Sequence, residues 1–274
     1  MVIGAQKSGT TSLAHQLAEH SEICFCDIKE PGYFHQTDNW RAGLDAYHQL
    51  FSPRGNQLCG EASTMYTFLP EWQNTYRRLY EYNPDLKFIY MMRQPVERIV
   101  SHYSHNTVRN IEKDSPDKAI WDNPVYIDRS RYNVQIRPFI EMFGKDNVHL
   151  VVFEEYIADQ ITVLKQIAAF LGINPAEFLK SDTSPKHKST GEFYLKSSTL
   201  RTFTKSELFR KVRPFMPKDI RQPIRRLFSK KLEQKPEFTP YLKQMIWRFL
   251  EDDVAGIEQL LNRSLSVWRQ GYGE

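Results

Sequence analysis

Lys7 is the first side chain of this 274-residue sequence whose neighbours give it chemistry to do. It stands in the turn Gly4-Ala5-Gln6-Lys7-Ser8-Gly9-Thr10-Thr11-Ser12. A short apolar run, Met1-Val2-Ile3, enters the turn, and Leu13 and Leu17 leave it on one face of a predicted helix. Strand, glycine-bearing loop and helix together point backbone N–H groups and the positive end of a helix at an anion. Lys7 adds a full charge, and Ser8, Thr10, Thr11 and Ser12 add hydroxyl donors. The expected ligand is a phosphate or a group of its shape. The nucleoside-triphosphate loop reads G-x-x-x-x-G-K-[ST], whereas here Lys7 precedes Gly9, so that pattern is not met. The plain alternative is a glycine- and hydroxyl-rich turn that only starts a helix.

A second constellation runs R-Q-P-V-E-R-I-V-S-H-Y-S-H-N from Arg93 to Asn106. Arg93 follows the clearest buried strand of the chain, predicted over 86–92, and Pro95 suits the first turn of a helix. On that helix Arg98, Ser101 and His105 follow at spacings of three and four, so Ser101 can face the same crevice as Arg93. Arginine with a hydroxyl makes a site for a second phosphate. Arg98 is expected to brace the fold instead, by an ion pair with Glu97.

Q-K-S-G-T-T-S-L resembles the 5′-phosphosulfate-binding loop of sulfotransferases that use 3′-phosphoadenosine 5′-phosphosulfate (PAPS). R-Q-P-V-E-R-I-V-S-H-Y-S-H resembles their 3′-phosphate motif, R-x-P-x-x-R-x-x-S-x-Y-x-H. Ser130, Tyr132, Gln135 and Phe139, the strand-like 148–156 and the closing L-L-x-x-x-L-x-x-W over 260–268 extend the likeness over nearly the whole chain. The resemblance implies a three-layer α/β/α fold with a central parallel sheet and a P-loop-like phosphosulfate loop, in one domain over 1–274. It implies transfer of a sulfuryl group from PAPS to a hydroxyl or amine, on a carbohydrate or glycolipid before other small molecules. Gln6, Lys7, Ser8, Gly9, Thr10, Thr11 and Ser12 would hold the 5′ end, and Arg93 and Ser101 the 3′-phosphate. Lys188 and Gly191 fall where related proteins carry a loop over the 3′ side, although Lys188 replaces the usual asparagine. Lys7 would stabilise the leaving group. Glu30, in K-E-P-G-Y-F, matches the catalytic glutamate of the heparan-type enzymes and is the first choice of base, with His105 second. No metal is needed. From position alone, Glu30 reads as half of a solvated Lys29–Glu30 pair before it reads as a base.

The elements that must place these residues follow the hydrophobic pattern. Strands are expected over 22–27, 57–61 and 86–92, and helices over 40–51, 71–82, 155–171 and 241–261; 109–123 reads as a surface loop. If the strand over 22–27 neighbours the first, Lys29 and Glu30 lie beside the opening loop. With 41% hydrophobic and 26% charged residues the composition is that of an ordinary globular protein, and a net charge of +4 is too small to argue nucleic-acid binding. Cys24, Cys26 and Cys59 suggest no disulfide framework. No signal-peptide pattern shows, nor any apolar run of the roughly 18 residues a membrane helix needs, so a cytoplasmic protein is expected. Basic residues crowd 201–231 among apolar ones; this is a solvated face, or, with 186–235, a lid on the acceptor side or a patch that touches a membrane surface. Two other functions stay open: a P-loop kinase acting on a small molecule, and a non-catalytic nucleotide-binding module at a membrane.

Overall fold

The computed structural model describes residues 1–36, 39–180, 193–195, 229–231 and 237–272. Strands β1 (Val2–Gly4), β2 (Ile23–Phe25), β3 (Leu58–Gly60), β4 (Phe88–Met92) and β5 (Val148–Val152) pair in parallel, β1 with β4, β4 with β5 and β2 with β3. A bridge between Val2 and Ala62, just past β3, joins the two groups. There the Val2 N–H donates to the Glu61 carbonyl at 2.8 Å, and the Ser63 N–H to the Val2 carbonyl at 3.0 Å. Across the joined sheet the order is β2-β3-β1-β4-β5. The chain leaves β1 toward one edge and β4 toward the other, so the crevice between their C-terminal ends is the switch point at which such sheets bind ligands.

The helices are α1 (Thr10–Ala18), α2 (Tyr33–Gln36), α3 (Leu44–His48), α4 (Thr75–Tyr82), α5 (Pro95–Val108), α6 (Pro116–Asp122), α7 (Val125–Asp128), α8 (Tyr132–Phe143), α9 (Phe153–Ala158), α10 (Gln160–Leu171), α11 (Pro240–Leu261) and α12 (Ser266–Arg269). Alternation along β4 sorts them into layers. Phe88, Tyr90 and Met92 join Ile3 in a core with Leu79 of α4, Ile99 of α5, Phe139 of α8 and Leu250 of α11. Ile89 and Met91 join Val2 and Val151 in a second core with Leu13 of α1, Tyr156 of α9 and Leu164 of α10. The three-layer α/β/α architecture is the expected one. A separate antiparallel pair joins β6 (Phe193–Leu195) to β7 (Ser229–Lys231).

Several expectations change. β2 does not neighbour β1, because β3 lies between them; a crossover helix makes successive strands parallel without making them adjacent. The helix expected over 40–51 is a 3-10 turn, Trp40–Gly43, followed by α3. The break falls at Gly43, where a Cβ would lie 2.8 Å from the Tyr33 hydroxyl. The helix over 155–171 splits at Asp159, whose carboxylate accepts from the Thr162 N–H and hydroxyl and caps α10. The stretch 109–123 is not all loop, since α6 forms in it and buries Ala119 and Ile120. Lys188, Gly191 and most of 186–235 lie outside the described residues.

Candidate active site

The opening loop leaves β1 at Gly4, where any Cβ would overlap the Tyr90 ring of β4. Lys7 follows with φ 70°, a left-handed conformation that costs a non-glycine residue energy and is found where the surroundings impose it. Gly9 then takes φ 90°, and a Cβ there would sit 2.6 Å from the Phe153 ring. Gly9 is also the N-cap of α1 and gives it no side-chain hydrogen bond; the Ser12 N–H donates to the Gly9 carbonyl at 3.0 Å, which leaves the N–H groups of Thr10 and Thr11 for an anion. Ser8 is buried with no hydrogen-bond partner for its Oγ, although the Tyr132 hydroxyl lies close; Tyr132 gives its own proton to the Arg93 carbonyl at 2.7 Å. Thr10 is buried, Thr11 Oγ1 accepts from Lys29 Nζ at 2.6 Å, and Ser12 lies in the first turn of α1. Gln6 Oε1 accepts from Arg129 Nη1 at 3.1 Å.

Arg93 ends β4, and the turn it occupies is held from several sides. The Gln94 side chain accepts from the Glu97 N–H at 2.7 Å and caps α5, while the Gln94 N–H donates to Glu154 Oε1 at 2.9 Å. Glu154 Oε2 accepts from the Trp268 indole at 2.8 Å, and Gln94 Nε2 donates to the Trp268 carbonyl. The closing tryptophan of the sequence motif is therefore a brace for this turn. The Arg93 guanidinium lies over the Phe153 ring, 5.5 Å from its centroid, and only 3.9 Å from Glu97. Arg98 does brace the fold, but not through Glu97, which pairs with Lys243 at 2.8 Å. Fully buried, Arg98 donates to the Tyr126 carbonyl at 2.9 Å instead. Ser101 is half-buried on α5, and among the described residues no hydrogen bond joins it to Arg93. One turn beyond it, His105 Nδ1 comes within 3.3 Å of Lys7 Nζ, so the two constellations meet across the crevice.

Glu30 enters from the β2 side. Like Lys7 it has a positive φ, 57°. Its N–H donates to the Ala62 carbonyl at 3.0 Å, and its Oε2 accepts from the Thr64 hydroxyl at 3.1 Å. Lys29 lies 3.5 Å from Glu30 Oε1 while it donates to Thr11, so it ties this carboxylate to the opening loop. The Lys29–Glu30 pair exists, and its lysine is bonded to the opening loop.

The charge around the crevice is mostly positive. His102 is buried on α5 and pushed down to about 2, first by burial and then by Arg98, Arg129, His105 and Lys7. Burial pulls Arg98 down to about 10, and its Nε and Nη1 lack partners. Arg129 was not singled out in the sequence, where it is one arginine in a short helical stretch; here it spans Gln6 and Glu71 and lies 3.5 Å from the centroid of the Phe68 ring. Glu61 was missed for the same reason, since nothing in its spacing marks it as buried.

The sulfotransferase domain family matches residues 1–236. The chain belongs to the sulfotransferase family. This sulfotransferase is similar in structure to a sulfotransferase from Alicyclobacillus acidocaldarius, with a TM-score of 0.69 and 25% identity over 98% of this chain and 97% of that one. In sequence it is 36% identical over 107 residues to the membrane-associated sulfotransferase kil1 of Dictyostelium discoideum, covering 38% of this chain and 22% of that protein. It is 23% identical over 188 residues to the mouse heparan sulfate glucosamine 3-O-sulfotransferase 5, covering 64% of this chain and 53% of that protein. The sulfotransferase chain thus spans between about a fifth and about half of the length of these curated relatives.

Proposed function

We propose that this sulfotransferase moves a sulfuryl group from PAPS to a hydroxyl or amine of a carbohydrate acceptor. The observation that carries the reading is the approach of Lys7 Nζ to His105 Nδ1 across the β1–β4 crevice. It puts a cation and a proton-handling ring at one point, beside a loop built for an anion.

The residues present fit the donor. An orphaned buried hydroxyl on Ser8, an uncapped helix start behind Gly9 and a surplus of cations around His102 all favour a polyanion. Gln6 to Ser12 would hold its 5′ end, and Arg93 with Ser101 its 3′-phosphate. PAPS supplies an activated sulfuryl group when bound. Lys7 would neutralise charge that develops on the 5′-phosphate side. Glu30 takes the proton from the acceptor, and Thr64 and Lys29 fix the direction of its carboxylate. His105 holds Lys7 on its other flank. The name of the mouse relative gives heparan sulfate glucosamine as its substrate, which supports a sugar acceptor here.

Glu30→Gln keeps the shape of the side chain and removes its basicity. Turnover of labelled PAPS with a panel of glycan acceptors should fall by about two to four orders of magnitude, with nucleotide affinity kept. Wild-type turnover in this variant would take Glu30 out of the mechanism.

A further inference from the structure

Glu30 and Gly32 both have φ 57°, so the turn that carries the catalytic carboxylate takes the left-handed conformation twice in three residues. A chain does not hold such a turn unaided. Three tethers of it come from one short segment: the Ala62 carbonyl takes the Glu30 N–H, Ser63 Oγ takes the Gly32 N–H at 3.0 Å, and the Thr64 hydroxyl donates to Glu30 Oε2. What fixes that segment is Glu61. Fully buried, its carboxylate accepts from Tyr47 at 2.9 Å and Tyr66 at 2.7 Å through Oε1, and from Ser63 at 2.6 Å through Oε2. The last bond orients Ser63, because a hydroxyl whose proton is committed to Glu61 turns a lone pair to the Gly32 N–H. The backbone on either side of Ala62 is laid against Val2 of β1, the strand that feeds the Lys7 loop.

We infer that Glu61, acting through Ser63, is the positioning residue for Glu30, and that it sets this carboxylate in register with Lys7. The inference rests on Glu30 being the base. Burial pushes the Glu61 carboxyl up while its three hydroxyl donors pull it down. Replacing one of its oxygens by an amide reverses the polarity of the contact to Ser63 and releases the turn without emptying the core.

The test is a double-mutant cycle, read as turnover of labelled PAPS with 3′-phosphoadenosine 5′-phosphate affinity measured in parallel. Glu61→Gln should lower kcat by about ten- to a hundred-fold, the range for a displaced catalytic group, with nucleotide affinity within about twofold. Placed on Glu30→Gln, the same change should cost less than about twofold further, because the group it positions is already silent. Equal losses in the two backgrounds, or loss of nucleotide affinity in step with kcat, would overturn the inference while leaving Glu30 as the base. Full turnover by Glu30→Gln alone would remove the base and this inference together. If Glu61→Gln does not fold, Ser63→Ala cuts the same relay one bond later and is read in the same cycle.

Discussion

His102 is neutral because its surroundings leave it no other state. Arg98 Nη2 points a donor at its Nδ1 from 3.4 Å, and Lys7, His105 and Arg129 add to the same field. An unfolded histidine titrates near 6.5, roughly, whereas this one is held down to about 2. Between those values the unfolded chain binds a proton that the folded chain refuses, so stability falls as pH drops below about 6.5. The slope owed to His102 is about 1.4 kcal/mol per pH unit. Denaturant titrations at pH 6, 5 and 4 should show His102→Gln losing less stability on acidification than the wild type, by about that slope. Parallel acid limbs would mean that the ring is not buried as neutral imidazole. At this scale the sequence was half legible. The spacing of Arg98, Ser101 and His105 on one helix, just past Arg93, could be read from residue types, as could the reversed order of Lys7 and Gly9. Burial could not: in a string of letters nothing marks Arg98 and His102 as enclosed, and only packing makes them a buried, partly satisfied pair.

The turn between β4 and α5 shows how elements from distant parts of the chain hold the proposed second phosphate site. Gln94 caps the helix, Glu154 from the start of α9 takes its N–H, and Trp268 in α12 holds Glu154 with its indole. Trp268→Phe keeps the buried ring and deletes one donor, leaving a half-buried carboxylate oxygen short of a partner. It should cost about 1–3 kcal/mol by denaturant titration, and should weaken 3′-phosphoadenosine 5′-phosphate binding. Unchanged stability and affinity would reduce Trp268 to core filling. β4 was legible because both of its faces are covered, which writes a continuous apolar run into the sequence. The long helix α11 was legible from its hydrophobic pattern over 241–261, and the structure adds Pro240 to its start with Thr239 as the cap. The order of the strands was not, because β2 and β3 carry the same kind of short pattern and only the Val2–Ala62 bridge decides which of them lies beside β1.

Across the whole molecule, one crevice gathers Lys7, His105 and Arg129 from the two halves of the sheet, with Arg98 buried behind it, Arg93 at the end of β4, and Glu30 tied through Lys29 to the opening loop. Such a distribution suits a nucleotide with anions at both its 3′ and 5′ positions better than a triphosphate, whose charges lie in one row and require a metal. The claim that these strand ends form a paired 3′,5′ anion site is tested most directly by calorimetric titration with 3′-phosphoadenosine 5′-phosphate, beside ATP with magnesium. The expected result is saturable binding of the bisphosphate, no competition from ATP, and at least about a tenfold weakening by Arg93→Ala, the loss of one charge-assisted contact to phosphate. Binding of ATP with magnesium and none of the bisphosphate, or a bisphosphate affinity indifferent to Arg93, would contradict it.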